Sequence, residues 1–204
     1  MSKSRLEAFS DGVIAIIITI MVLELKTPHS ADWHALERLL PVFLSYVLSF
    51  VHLGIYWNNH HHLLQAVRKV GGGVLWANLH LLFWLSLIPF ATAWMGENHF
   101  AELPVAIYGT VLLCSGIAYY ILAHALIAQH GNDSELAKAL GSDIKGKLSV
   151  GFYMAAIPLA FVASWIACAV YVLVAIMWLI PDRRIEKVLT EHSTRSHLPT
   201  APGE

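Results

Sequence analysis

Charge is scarce in this chain. Of its 204 residues, 13 are Lys or Arg and 14 are Asp or Glu, a charged share of 13%, where soluble domains carry about 25%. The formal net charge is −1, so no basic surface awaits phosphates and nucleic acid is not an expected partner. Cysteine is nearly lacking. Cys114 and Cys168 both sit in apolar runs and give no CxxC, no metal spacing and no disulfide framework. Both read as small packing residues. A phosphate-binding loop is missing too: Gly71-Gly72-Gly73 has no Lys-Ser/Thr pair after it and reads as a flexible helix start. Ser10 lacks the glycines of a nucleophile elbow, and no carboxylates are paired for acid–base work. These absences remove the common enzyme signatures, and no cofactor is expected.

Apolar residues are in excess instead. The AVILMFWYC set makes up 57% of the chain. A chain this small leaves a large share of its surface exposed, so that excess argues against a soluble monomer and makes the lipid bilayer the expected solvent. Lys3 and Arg5 before an apolar run suggest a signal peptide. Asp11 interrupts that run, however, and Glu24-Leu25-Lys26 stands where small cleavage-site residues belong. The segment is expected to be retained.

A spanning helix needs about 20 mostly apolar residues. No Asp, Glu, Lys or Arg occurs in Leu39–Val67, Val70–Gly96, Leu103–Asn132 or Leu148–Pro181. The first three runs each supply one helix. The last has 34 residues, about 51 Å as a single helix at 1.5 Å per residue, which is enough for two. Pro158 and Ser164 lie near its middle, so a turn is expected near 160–164. The first segment has only Gly12–Leu23 free of charge. Ionisable groups at membrane depth face a bundle interior or a wet cavity, so helix 1 is expected to be the most enclosed of six helices. The expected fold is all-α, a six-transmembrane-helix bundle over 1–184 followed by a polar, partly disordered tail over 185–204.

Six spans put the N-terminus, the 60–70 loop, the 130–147 loop and the C-terminal tail on one side. That side carries eleven of the 13 basic residues; the other holds Lys26 and Arg38 alone. By the positive-inside rule both termini are cytoplasmic. Most of the seven tryptophans fall toward span ends, as interfacial belts do.

Ile16, Thr19, Ile20 and Leu23 follow the spacing i, i+3, i+4, i+7 and share one stripe of helix 1. One reading of the stripe is ordinary helix packing. The other is a pore face: copies of helix 1 around a rotation axis would present rings of Ile16, Ile20 and Leu23, and hydrophobic constrictions of this kind gate by dewetting. Asp11 points about 130° away from the stripe at 100° per residue. Ser10 and Asp11 need hydrogen-bond partners, and Trp57, Asn58, Asn59, His60, Trp76, Asn78 and His80 on helices 2 and 3 are candidates.

The run Arg5-x-x-x-Phe9-Ser10-Asp11-Gly12, then Val13-Ile14-Ala15-Ile16, Thr19 and Leu23-Glu24-Leu25, resembles the opening of the transmembrane protein 175 family of potassium-permeable channels. Trp57-x-x-His60-His61-x-Leu63, Asn78-Leu79 and Pro89-Phe90 are similar to its helices 2 and 3. The resemblance covers residues 5–96. Beyond that only the six-helix hydropathy agrees. It implies a homotetramer in the plasma membrane with helix 1 lining a central pore and potassium as the permeant ion. It implies a constriction of Ile16, Ile20 and Leu23, a selectivity role for Thr19, and no TVGYG carbonyl filter. Arg5, Phe9, Ser10 and Asp11 match a network holding helix 1 against helices 2 and 3, with Trp57, His60 and Asn78 as partners.

Two readings compete. Twelve histidines, His52, His80 and His124 among them in apolar runs, invite haem or metal binding. No two well-placed pairs on facing helices can be assigned, and no acidic partner lies at helical spacing. A proton-coupled transporter would use Asp11 and nearby histidines as a relay, but such carriers show internal repeats and broken helices, neither of which is evident here.

Overall fold

A computed structural model describes residues 2–67, 69–131, 137 and 144–179. The expected tail over 185–204 lies outside them. Among the described residues the chain is all helix: α1 (Lys3–Leu23), α2 (Trp33–Gln65), α3 (Gly72–Ser86), α4 (Ile88–Glu97), α5 (Glu102–His130), α6 (Ile144–Ala160) and α7 (Ser164–Leu179). Helices α3 and α4 are two halves of one apolar run of 26 residues, Gly72–Glu97. They part at Leu87, whose N–H bonds back to Trp84 O at 3.2 Å. The cause is Pro89, which has no N–H to continue the ladder and whose ring crowds the preceding turn. Counting α3–α4 as one, these elements make six helical runs among the described residues. Four of them, α1, α2, α3–α4 and α5, are long and apolar enough to cross a bilayer.

The turn between the last two helices falls in 160–164, as the sequence expects. Near the end of α6, Pro158 accepts from Phe161 N at 3.2 Å, and Leu159 O accepts from Val162 N at 3.0 Å. These i→i+3 bonds tighten and end the helix.

Within one chain the middle of the bundle belongs to α5, which packs on α3, α4, α6 and α7. Its Tyr108, Leu112, Ala118, Leu122 and Leu126 are fully buried. Two glycines allow close approach. A Cβ at Gly109 would collide with the Tyr171 hydroxyl, which donates to Val105 O at 3.1 Å, and a Cβ at Gly96 would meet the α2 backbone at Val42 Cα, 2.7 Å away. Three hydroxyls in this core pair with one another: Ser49 Oγ lies 2.6 Å from Thr92 Oγ1 and 3.0 Å from Tyr108 Oη.

Helix α1 corrects one expectation. It is not enclosed within its own chain. It lies at the rim, against α2, α3 and α4, with one face buried and the other open. Ser10 and Asp11 find their partners on α2 and α3 of the same chain, so a single chain does not have to surround the helix.

Candidate functional site

Helix α1 carries two stripes. Leu6, Ser10, Ile14, Ile17 and Met21 recur at i+4 and i+3 steps and are buried in the chain. On the opposite side Ile16 is 58% exposed, Ile20 43% and Leu23 74%, and Thr19 is exposed between them. The buried face has taken the intrachain packing, so the stripe Ile16, Thr19, Ile20, Leu23 is left without a partner in its own subunit. Thr19 Oγ1 donates to Ile16 O at 3.0 Å, which ties its hydroxyl to the helix and leaves its lone pairs outward.

The buried face holds a polar chain of three side chains. Asn78 Nδ2 donates to Ser10 Oγ at 2.9 Å, and Asn78 Oδ1 accepts from His60 Nε2 at 2.7 Å. Because a carbonyl oxygen only accepts, Nε2 carries the proton. Ser10, Asn78 and His60 are all buried. Next to them Trp57 Nε1 donates to Asp11 Oδ1 at 3.0 Å. Asp11 is half-buried, and the indole also stacks on His61, with ring centroids 6.1 Å apart. The chain thus brings Ser10, Asp11, Trp57, His60 and Asn78 together where α1, α2 and α3 meet. Arg5 and Phe9 are exposed on α1, and neither joins this network among the described residues. Trp76, Asn58 and His80, also candidates for it, lie elsewhere; His80 Nε2 accepts from Trp84 Nε1 at 2.9 Å. His52 and His124 donate through Nδ1 to the carbonyls of Leu48 and Tyr120, each at 2.9 Å.

A second tether lies at the far end of α1. Lys26 Nζ bonds Glu97 Oε1 at 2.7 Å, joining the loop after α1 to the end of α4. The Glu97 carboxylate raises the Lys26 pKa above its usual value. Sequence reading places Lys26 and Glu97 on the same side but not together, since they are 71 positions apart. Only the six-helix topology, which puts both loops at one end, offered a signal for the pair. Between α1 and α4 runs an open groove of about 830 Å³, walled by Ile16, Ile20, Phe90 and Trp94 and ending at Glu24 and Glu97. Its α4 wall went unread in the sequence because the Pro89 bend sets which α4 residues face α1.

The family model for the endosomal/lysosomal potassium channel TMEM175 matches residues 5–89. A Chryseobacterium protein named potassium channel HX13_20290 is 57% identical over 94% of this chain and 100% of its own length. A Streptomyces collinus protein named potassium channel B446_29190 is 30% identical over 86% of this chain and 91% of its own. Among solved structures, the crystal structure of a lysosomal potassium-selective channel TMEM175 homologue from Chamaesiphon minutus superposes with a TM-score of 0.77. It is 29% identical and covers 88% of this chain and 97% of that one. With a relative this similar along its whole length, and with helices long and apolar enough to span a bilayer, the chain belongs to the TMEM175 family of membrane ion channels and is not an enzyme.

Proposed function

We propose that the chain is a potassium-permeable cation channel: a homotetramer with α1 of each copy around a central path. In this reading Ile16, Ile20 and Leu23 form the hydrophobic constriction, Ile16 nearest the cytoplasm. The observation that carries it is the exposed stripe. It stands opposite a buried stripe of the same helix, so it is free to meet its symmetry copies. The likeness to relatives named potassium channels supports the choice of ion.

Rings of isoleucine offer no oxygen to replace a hydration shell, so an ion passes only when the constriction wets. Thr19 is the one side-chain oxygen on the stripe. With its proton given to Ile16 O, its lone pairs face the path and favour a partly dehydrated cation. Selectivity then rests on path width and four hydroxyls rather than on a carbonyl filter. The Ser10–Asn78–His60 chain and the Trp57–Asp11 bond hold α1 at its cytoplasmic end, and so fix the width of the path. Eleven basic residues on the side of the N-terminus, against two on the other, support a multi-pass plasma-membrane protein with cytoplasmic termini.

The test is cation flux through purified protein in liposomes under a potassium gradient, repeated with sodium. Potassium flux is expected to exceed sodium flux, and Ile16→Asn to raise both by hydrating the constriction. Unchanged flux when Ile16, Ile20 and Leu23 are each made polar would remove α1 from the permeation path.

A further inference from the structure

We propose that a cavity among α2, α5, α6 and α7 is a ligand site remote from α1, and that it takes an apolar molecule bearing a single hydrogen-bond donor. His52 Nε2 is the acceptor that donor meets. The cavity measures about 340 Å³, and no residue of α1, α3 or α4 lines it. Drug-sized ligand pockets start at roughly 300 Å³ and are mostly apolar with a few placed polar groups.

The reason to assign it a ligand is an unmatched polar atom. His52 lines the cavity and is 3% exposed. Its Nδ1 lies 2.9 Å from Leu48 O. A carbonyl oxygen only accepts, so Nδ1 carries the proton and the neutral ring leaves Nε2 as a bare acceptor. Nε2 is shut off from solvent and has no hydrogen-bond partner. Buried polar atoms are nearly always paired, and an exception asks for an unseen partner.

Most donors on the wall are turned to other acceptors. Tyr56 Oη donates to Leu112 O at 3.5 Å, Tyr119 Oη to Asn59 O at 3.4 Å and Ser149 Oγ to Lys145 O at 2.8 Å. Trp178 Nε1 donates to Ser149 Oγ at 2.8 Å. These donors are committed, and the Tyr153 hydroxyl, also on the wall, makes no bond to Nε2. A water molecule alone would leave the mostly apolar wall uncovered, whereas a molecule with an apolar body and one O–H satisfies both the walls and the acceptor. Space for it comes from Gly116 on α5, where an added Cβ would meet nothing nearer than Tyr56 Oη at 3.7 Å. The cavity runs from His52 at mid-height of α2 toward Asn59 and Lys147 at the end of the bundle that carries the N-terminus. Both the adjoining leaflet and the aqueous phase reach that end, so the donor belongs either to a hydroxyl-bearing lipid or to a soluble phenol-like molecule.

The experiment uses the full chain in nanodiscs and fluorine NMR of 4-(trifluoromethyl)phenol, with its methyl ether, 4-(trifluoromethyl)anisole, as the probe lacking the donor. Empty nanodiscs give the partitioning background. The phenol is expected to bind at one saturable site per chain, about fivefold or more tightly than the ether, the effect of one buried hydrogen bond. His52→Phe should erase that preference, and Gly116→Leu, which fills the cavity from α5, should remove saturable binding of both probes. The proposal fails if wild type shows no saturable site, if phenol and ether bind alike, if the preference survives in His52→Phe, or if Gly116→Leu still binds. Native mass spectrometry of the purified protein separates the sources. A hydroxylated lipid retained by wild type and lost in Gly116→Leu assigns the site to the bilayer; phenol binding without one assigns it to the aqueous phase.

Discussion

Asn78 is the residue through which α1 is held. Its amide is the one group that both donates to Ser10 and accepts from His60, and all three side chains are buried. Asn78→Leu keeps the volume and removes both bonds, leaving Ser10 without a donor and the His60 N–H without an acceptor. The expected loss is about 2–4 kcal/mol, since each buried unsatisfied group costs roughly 1–3 kcal/mol. It should appear as a lower unfolding midpoint in detergent. Asp11→Ala leaves the Trp57 indole N–H unpaired and should lower the yield of assembled oligomer on size-exclusion chromatography; a fully assembled and active variant would mean Asp11 holds nothing. These partners were legible as types, because a buried Ser and Asp at the start of an apolar helix demand donors, and Trp57, His60 and Asn78 lie at the matching depth of α2 and α3. Which of several Asn, His and Trp residues answer was not legible. That choice rests on helix rotation, and Asn58, Trp76 and His80 have the same chemistry on the wrong faces.

At the scale of elements, the contact between α2 and α4 is set by a missing side chain. Gly96→Val would drive a branched side chain into Val42 Cα and Ser45 Oγ, so the two helices must separate. Overpacking of this kind costs about 1–3 kcal/mol and should be read as a lower thermal midpoint, with Gly116→Ala, whose methyl comes no nearer than 3.7 Å to Tyr56 Oη, as the control that stays near wild type. The start of α2 is fixed electrostatically. The Asp32 carboxylate accepts from Ala35 N at 2.8 Å, and that bond holds its pKa below the usual carboxylate value. A carboxylate with a lowered folded pKa adds stability that is present above its unfolded value and lost as pH falls through the folded one. Hydrogen exchange at Ala35, corrected for its intrinsic pH dependence, should therefore stay protected at pH 6 and lose protection only in acid below the ordinary carboxylate range. Asp32→Asn, which keeps an accepting oxygen, should flatten that response. An unprotected amide at neutral pH would show the cap is not formed.

The whole molecule presents an apolar face that one chain does not cover. Cysteine at Ile16, placed in a background with Cys114 and Cys168 replaced by serine, is expected to form intersubunit disulfides on oxidation, seen as dimers on a denaturing gel. Cysteine at Ile14, buried inside the chain, should form none. Equal cross-linking at both positions would reject a central α1. The sequence by itself determined that the chain lives in lipid, because 57% apolar residues and 13% charge leave a small chain no soluble solution. It also determined six helical runs, since apolar stretches free of charge are set by composition along the chain, and the turn within 160–164, since proline removes a backbone donor wherever it falls. Tertiary structure alone decided that α5 and not α1 occupies the middle of a chain, that Lys26 meets Glu97, and that His52 borders a cavity with an acceptor unpaired. Each of these depends on how helices rotate and bend against one another. Periodicity names the stripes of a helix, but only packing chooses which stripe is buried.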